Sequence, residues 1–222
     1  MTTSETGYDK NLSLFEQLLA ILKESTSNYV APVAILSIAN LESRVAPMQT
    51  SLQQTKEKLA VYTLAVNARQ SVYEEMEKRI TRAFDLLPVL GIDVRTTSDL
   101  KSAYDKVKGY TANSEQGFEN LKKNFDRFVE LLKLTPAYLP TDSLLQVEAL
   151  EVLSELLDTR NKAVIAADSA LSSARIVRNE LMYQAETGIV PVCRLVKQYY
   201  RSQEGVNGIT YKRLVALLKP LR

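Results

Sequence analysis

A long run of apolar residues at alternating spacings of four and three constrains this chain more than any other feature. The run extends from Leu41 to Leu87, and only Thr55 and Arg69 interrupt it with polar side chains. Such a seam is the heptad signature of helices that pack side by side. It predicts a long helix over about residues 33–90. The seam consists of Leu41, Val45, Met48, Leu52, Thr55, Leu59, Tyr62, Val66, Arg69, Tyr73, Met76, Ile80, Ala83 and Leu87.

The sequence also resembles itself at an offset of 109 residues. Without a gap, this offset pairs Tyr29 with Tyr138 and Arg69 with Arg178, and a shift of one more residue pairs Phe15 with Phe125. The second copy keeps the seam at every seventh position, which predicts a second long helix over about residues 142–201. These second-copy positions are Leu150, Leu157, Val164, Leu171, Arg178, Ala185 and Val192. We interpret the pattern as an internal duplication.

Both predicted long helices contain a proline, which can kink or end a helix. Pro47 lies in the first copy and the stretch TGIVP (187–191) in the second, but the counterpart of each has a good helical sequence. The comparison predicts kinks at these points rather than helix ends, so that residues 41–87 form one helix. Tyr29 and Tyr138 are expected to pack at the turn into each long helix, each with a hydrogen-bond partner for its hydroxyl group.

The predicted fold class is all-α. We expect an internally duplicated, elongated bundle of two long antiparallel helices, with short helices packed at both ends. There would be six helices, three per repeat, with residues 1–111 and 112–222 as the two repeats of one intertwined domain. The short helices are predicted at 11–24, 98–108, 120–133 and 209–219.

The residue inventory restricts the possible chemistry. Histidine is absent, which removes Ser-His-Asp and Cys-His nucleophile systems and histidine-ligated zinc. The single cysteine, Cys193, adjoins Val192 and is expected to be a buried core thiol. The few glycines form no phosphate-binding loop. No enzymatic activity, metal or other cofactor is therefore predicted.

Charge and hydropathy suggest a cytoplasmic protein. The net charge of +2 provides no global attraction to nucleic acid or a membrane surface. The beginning, MTTSETGYDKN, has no apolar core of a signal peptide, and no apolar run approaches the ~18 residues of a membrane span.

Arg69 and Arg178 occupy equivalent seam positions and have no carboxylate three or four residues away. We expect them to form a polar waist, with their stems along the seam and their guanidinium groups at least partly in water. Two other interpretations are a pair with an acid of the other long helix and a ligand-binding role.

The C-terminal residues 194–222 form a basic stretch whose only acid is Glu204, whereas residues 113–160 contain nine acids against five bases. The basic stretch is most simply a solvated face. It could alternatively hold an acidic partner, a phosphate-bearing molecule or the acidic end of another copy. Its basic residues are Arg194, Lys197, Arg201, Lys212, Arg213, Lys219 and Arg222.

These observations favour a non-enzymatic interaction or structural protein that presents its helix faces to a protein partner or to itself. The alternative is a nucleic-acid or anionic-surface binder that uses residues 194–222. A third hypothesis is a helical-bundle enzyme that relies only on Glu, Tyr and Lys side chains.

Overall fold

The computed structural model describes residues 3–24, 29–111 and 116–221, and this part of the chain contains helices and no strands. The α-helices are α1 (Thr3–Glu24), α2 (Ile38–Glu42), α3 (Val45–Leu86), α4 (Val94–Lys108), α5 (Phe118–Lys133), α6 (Val147–Tyr183), α7 (Ile189–Glu204) and α8 (Ile209–Leu218). Short 3-10 helices (Ala34–Leu36 and Ser143–Leu145) precede α2 and α6. The predicted all-α class is confirmed.

The chain forms two compact units. Unit 1 comprises Met1–Ala60 with Ala170–Arg222, and unit 2 comprises Val61–Ser169. Helices α3 and α6 therefore contribute residues to both units.

The apolar core of unit 1 is formed by α1, α7, α8, the beginning of α3 and the end of α6. Phe15, Leu18 and Leu22 of α1 are fully buried in it, because their spacing places them on one face of the helix. Against this face pack residues of α7 such as Val192 and Val196.

Unit 2 has its own core, in which α4 packs against α5, and α3, α6 and the connecting segments contribute the remaining residues. Phe125 and Phe128 of α5 are fully buried there. Helix α4 begins after Asp93, whose carboxylate accepts hydrogen bonds from the backbone N–H groups of Arg95 and Thr96.

The seam from Leu41 to Leu87, most of which lies on α3, faces inward. None of its fourteen residues is classed as exposed, and those near the ends of the seam, such as Met48 and Ile80, are fully buried. Helix α3 is unbroken from Val45 to Leu86, which is most of the helix predicted over residues 41–87, but Leu41 lies in the separate helix α2.

The prediction that the two proline sites would only kink the long helices was wrong. Ser43 and Arg44 separate α2 from α3, and residues 184–188 separate α6 from α7. Each interruption precedes a proline in the first turn of the next helix, where the missing N–H group is tolerated. Each predicted long helix is thus divided in two, so the described residues contain eight α-helices instead of the predicted six. Ala185, expected in the second seam, is exposed.

The break between α6 and α7 depends on specific contacts. Pro191 has no N–H to donate to the carbonyl of Thr187, four residues earlier, and the guanidinium of Arg44 donates to this carbonyl instead. Gly188 approaches the preceding turn so closely that a Cβ atom would lie 2.7 Å from the backbone nitrogen of Gln184. Only glycine fits there without a shift of the backbone.

Helices α5 and α8 lie within two residues of the bounds predicted for two of the short helices. Helix α4 begins four residues before its predicted start at residue 98, and α1 begins eight residues before its predicted start at residue 11. This extension brings Tyr8 into the core of unit 1.

Candidate functional site

A basic groove lies on the surface of unit 1, between α7 and α8. Arg194, Lys197 and Arg201 of α7 line it, and Tyr211 of α8 lies against the same space, which has a volume of about 770 Å³. Helix α7 buries the opposite side, which includes Val192 and Val196, so its three cationic side chains point away from the core. Gln198 and Ser202 complete the lining with polar side chains.

The other predicted basic residues do not line this groove. Arg213 forms an ion pair with Glu24 at 2.7 Å. Lys212 of α8 and Lys219, which follows this helix, are exposed. Arg222 lies outside the described residues. The structure therefore brings together three of the seven predicted residues.

An acidic groove lies on the surface of unit 2. Asp126 and Glu130 of α5 and Glu151 and Glu155 of α6 line it, around a volume of about 430 Å³. Asp126 pairs with Lys122, and Glu151 pairs with Lys133. Sequence reasoning recognised the acid excess over residues 113–160, but it did not select these four side chains. The signal that could have found them is that the acids recur at intervals of four on both amphipathic helices.

The expectation that both seam arginines keep their guanidinium groups in water was wrong for Arg178. Arg178 is only 5% exposed, and its guanidinium carbon lies 3.9 Å from the ring centroid of Tyr8. Arg69 is half-buried, with its guanidinium 3.8 Å from the ring centroid of Phe118. A cation over an aromatic face is attracted by the ring quadrupole, most strongly where water is excluded. The ring over Arg178 comes from the second turn of α1, and the ring over Arg69 comes from the first residue of α5.

Hydrogen bonds fix the side chain of Tyr8 and the backbone of Phe118. Tyr8 donates its hydroxyl hydrogen to Oδ1 of Asn179 at 2.6 Å, and Nη2 of Arg178 donates to the same oxygen at 3.3 Å. In unit 2, the hydroxyl of Tyr73 donates to the backbone carbonyl of Phe118 at 2.7 Å. These bonds tie α1 to α6 and α3 to α5, which makes a structural role the direct interpretation of both arginines.

Tyr29 and Tyr138 make the same contact in the two halves of the sequence. Tyr29 donates to the carbonyl of Leu36 at 2.6 Å, and Tyr138 donates to that of Leu145 at 2.8 Å. Burial raises the pKa of each hydroxyl to about 12. The predicted hydrogen-bond partners are therefore present, and both tyrosines remain neutral at physiological pH.

Cys193 is a core thiol, as predicted. It is fully buried in α7, and this burial raises its pKa to about 12. Among the residues that the structure describes, no three His, Cys, Asp or Glu side chains are arranged to hold a metal ion.

Large aliphatic side chains on the long helices lie outside the seam and face the solvent. Val61 and Leu64 of α3 are 54% and 67% exposed, and Ile165 and Ile176 of α6 are 64% and 58% exposed. Ile165 and Ile176 share a helix face, because eleven residues correspond to about three turns. These residues were not identified from the sequence. Large aliphatic residues of a long helix that fall outside its seam are expected to face the solvent, and this pattern could have identified them.

Comparisons with protein-family models, with curated proteins and with solved structures found no match to this chain. Within the described ranges, no helix has the combined length and apolar character that crossing a bilayer requires.

Proposed function

We propose that this protein is a non-enzymatic helical interaction protein that presents faces of its long helices to a protein partner. The exposed aliphatic side chains of α3 and α6 carry the proposal. Isolated apolar residues are common on protein surfaces, but a helix that displays them on a regular face offers a contact for another helix or a groove.

Val61 and Leu64 provide the direct test. They are three residues apart on α3, and neither belongs to the core of unit 2. A variant with Val61→Glu and Leu64→Glu should keep its stability within about 0.5 kcal/mol, as surface substitutions usually do. Its partner affinity should fall at least about tenfold, because a charge in the centre of an apolar contact is costly to desolvate.

The measurement is crosslinking in cell extract, identification of the retained protein, and titration of that purified protein against both forms. The matched control is Gln54→Glu with Asn67→Glu, which adds the same charge at exposed polar positions of α3. Equal binding by the wild type and the Val61/Leu64 variant would reject this face as the contact.

We also infer that the architecture arose by duplication. Equivalent 3-10 helices, the Tyr29 and Tyr138 hydrogen bonds, and the starts of α2 and α6 all recur at the offset of 109 residues. The ion pairs Lys23–Glu42 and Lys133–Glu151 also recur, with the one-residue shift in the lysine. An antiparallel course of α3 and α6 is supported by unit 1, which contains the beginning of α3 and the end of α6.

A further inference from the structure

We propose that the protein self-associates by docking the basic groove of one copy on the acidic groove of a second copy. This contact goes beyond the proposed function, since it uses neither Val61 nor Leu64.

The basic groove has three cations available for such a contact. Within the described ranges, Arg194, Lys197 and Arg201 form no ion pair with a carboxylate. They lie on successive turns of one face of α7, and Arg194 and Arg201 are exposed. Arg213 differs, because Glu24 of the same chain already neutralises it. The groove therefore retains its positive charge in the folded protein.

The acidic groove carries matching charge. Glu130 and Glu155 are exposed and make no side-chain hydrogen bond or ion pair with the rest of the described chain. Asp126 pairs with Lys122 and also accepts a hydrogen bond from the hydroxyl of Ser154, whereas Glu151 pairs with Lys133. Each carboxylate oxygen has two lone pairs, so both groups can accept further hydrogen bonds. The groove thus presents more negative charge than its neighbouring lysines neutralise.

Apolar side chains lie close to these charged residues along the chain. Leu195 follows Arg194 in α7, Val152 and Leu156 follow Glu151 and Glu155 in α6, and all three are exposed. Val129 lines the acidic groove itself. An interface that combines a small apolar contact with a complementary charged rim has the usual anatomy of a specific protein contact. Individual surface ion pairs contribute little to binding because water and salt screen them, so the association should be weak and sensitive to salt.

A second copy fits the observed charges better than a nucleic acid does. A polyanion would be attracted to the basic groove but repelled by the acidic one, and the net charge of the chain is only +2. A second copy provides an acidic surface for the basic groove and a basic surface for the acidic groove. Because the two surfaces differ, the contact is heterologous and can close into a ring or extend into a chain.

Sedimentation velocity of the full chain at increasing salt concentration is the first test. The wild type should form dimers or larger species at about 0.05 M salt and dissociate near 1 M, where the screening length falls to about 3 Å. A protein that remains monomeric at low salt and high concentration would overturn the proposal.

Two charge-reversal variants make the test specific. Arg194→Glu with Arg201→Glu gives two acidic surfaces, and Glu130→Lys with Glu155→Lys gives two basic ones. Each variant alone should lose at least about tenfold in association constant, because like charges now face each other. An equimolar mixture of the two should recover association, since acidic and basic surfaces are again paired between copies.

Matched controls carry the same charge changes elsewhere. Lys212→Glu with Lys219→Glu alters exposed residues in and directly after α8, and Glu77→Lys with Asp85→Lys alters exposed residues of α3. Both controls should associate nearly as the wild type does. Equal losses in the controls, or no recovery in the mixture, would overturn the groove contact. Binding of a single-stranded oligonucleotide that requires Arg194 and Arg201, by a monomeric protein, would assign the groove to a polyanion and also overturn it.

Discussion

At the scale of single residues, Arg178 and Arg69 occupy the same seam position but different environments. Arg178 is buried over the ring of Tyr8, whereas Arg69 is half-buried over that of Phe118. A cation–π contact contributes about 2 kcal/mol when it is desolvated and about 0.5–1 kcal/mol when it is exposed. The two contacts should therefore differ in strength.

Double-mutant cycles measure this difference. The cycle that combines Arg178→Leu with Tyr8→Leu should give a coupling free energy of about 1–2 kcal/mol in urea unfolding. The cycle of Arg69→Leu with Phe118→Leu should give a smaller coupling, because Arg69 is only half-buried. Equal couplings, or a larger value for Arg69, would contradict the assigned role of burial.

At the scale of helices, the break between α6 and α7 depends on Gly188. Its φ of −67° is accessible to any residue, so the requirement for glycine comes from the close contact with the turn before it. Gly188→Ala should destabilise the protein by roughly 1–3 kcal/mol, as overpacking does in a close-packed site.

The same substitution at Gly7 is the control for Gly188→Ala. Gly7 lies within α1, and a Cβ atom added there meets nothing within 4 Å. Gly7→Ala should stabilise the protein by about 0.5–1 kcal/mol, because alanine loses less backbone entropy in a helix. Thermal unfolding of both variants checks the opposite signs. A neutral Gly188→Ala would show that the break tolerates a side chain.

At the scale of the whole molecule, two separate cores share two continuous helices. Phe15 is fully buried in unit 1 and Phe125 in unit 2, and α3 and α6 each contribute residues to both units. Unfolding of one core would free one part of α3 and of α6, and the remaining parts of these two helices belong to the other core. The two units should therefore unfold together.

Calorimetry of Phe15→Ala and Phe125→Ala tests this cooperativity. Each variant should lose about 3–5 kcal/mol and still unfold in one transition at a lower temperature. The losses should add in the double variant, because the two side chains belong to different cores. Two resolved transitions, with only one displaced in each single variant, would mean that the units unfold independently.

Much of the helical content could be predicted because it depends on local periodicity. The seam from Leu41 to Leu87 indicated which side of α3 is inward, and the apolar spacings located α4, α5 and α8 to within a few residues. The sequence also showed the basic stretch, and it predicted that the hydroxyl groups of Tyr29 and Tyr138 need hydrogen-bond partners. Repeated apolar spacing determines a buried helix face wherever that helix packs.

Only the tertiary structure decided where helices break and which distant side chains meet. The break between α6 and α7 depends on the close approach of Gly188 to the backbone of Gln184 and on the hydrogen bond from Arg44 to the carbonyl of Thr187. A comparison of the two repeats shows neither contact. The ring of Tyr8 over Arg178 likewise depends on how α1 packs against α6. The basic groove is lined by Arg194, Lys197 and Arg201, whereas Arg213 forms an ion pair with Glu24. The difference arises because the folded structure, and not the distance along the chain, determines which charged side chains lie close together.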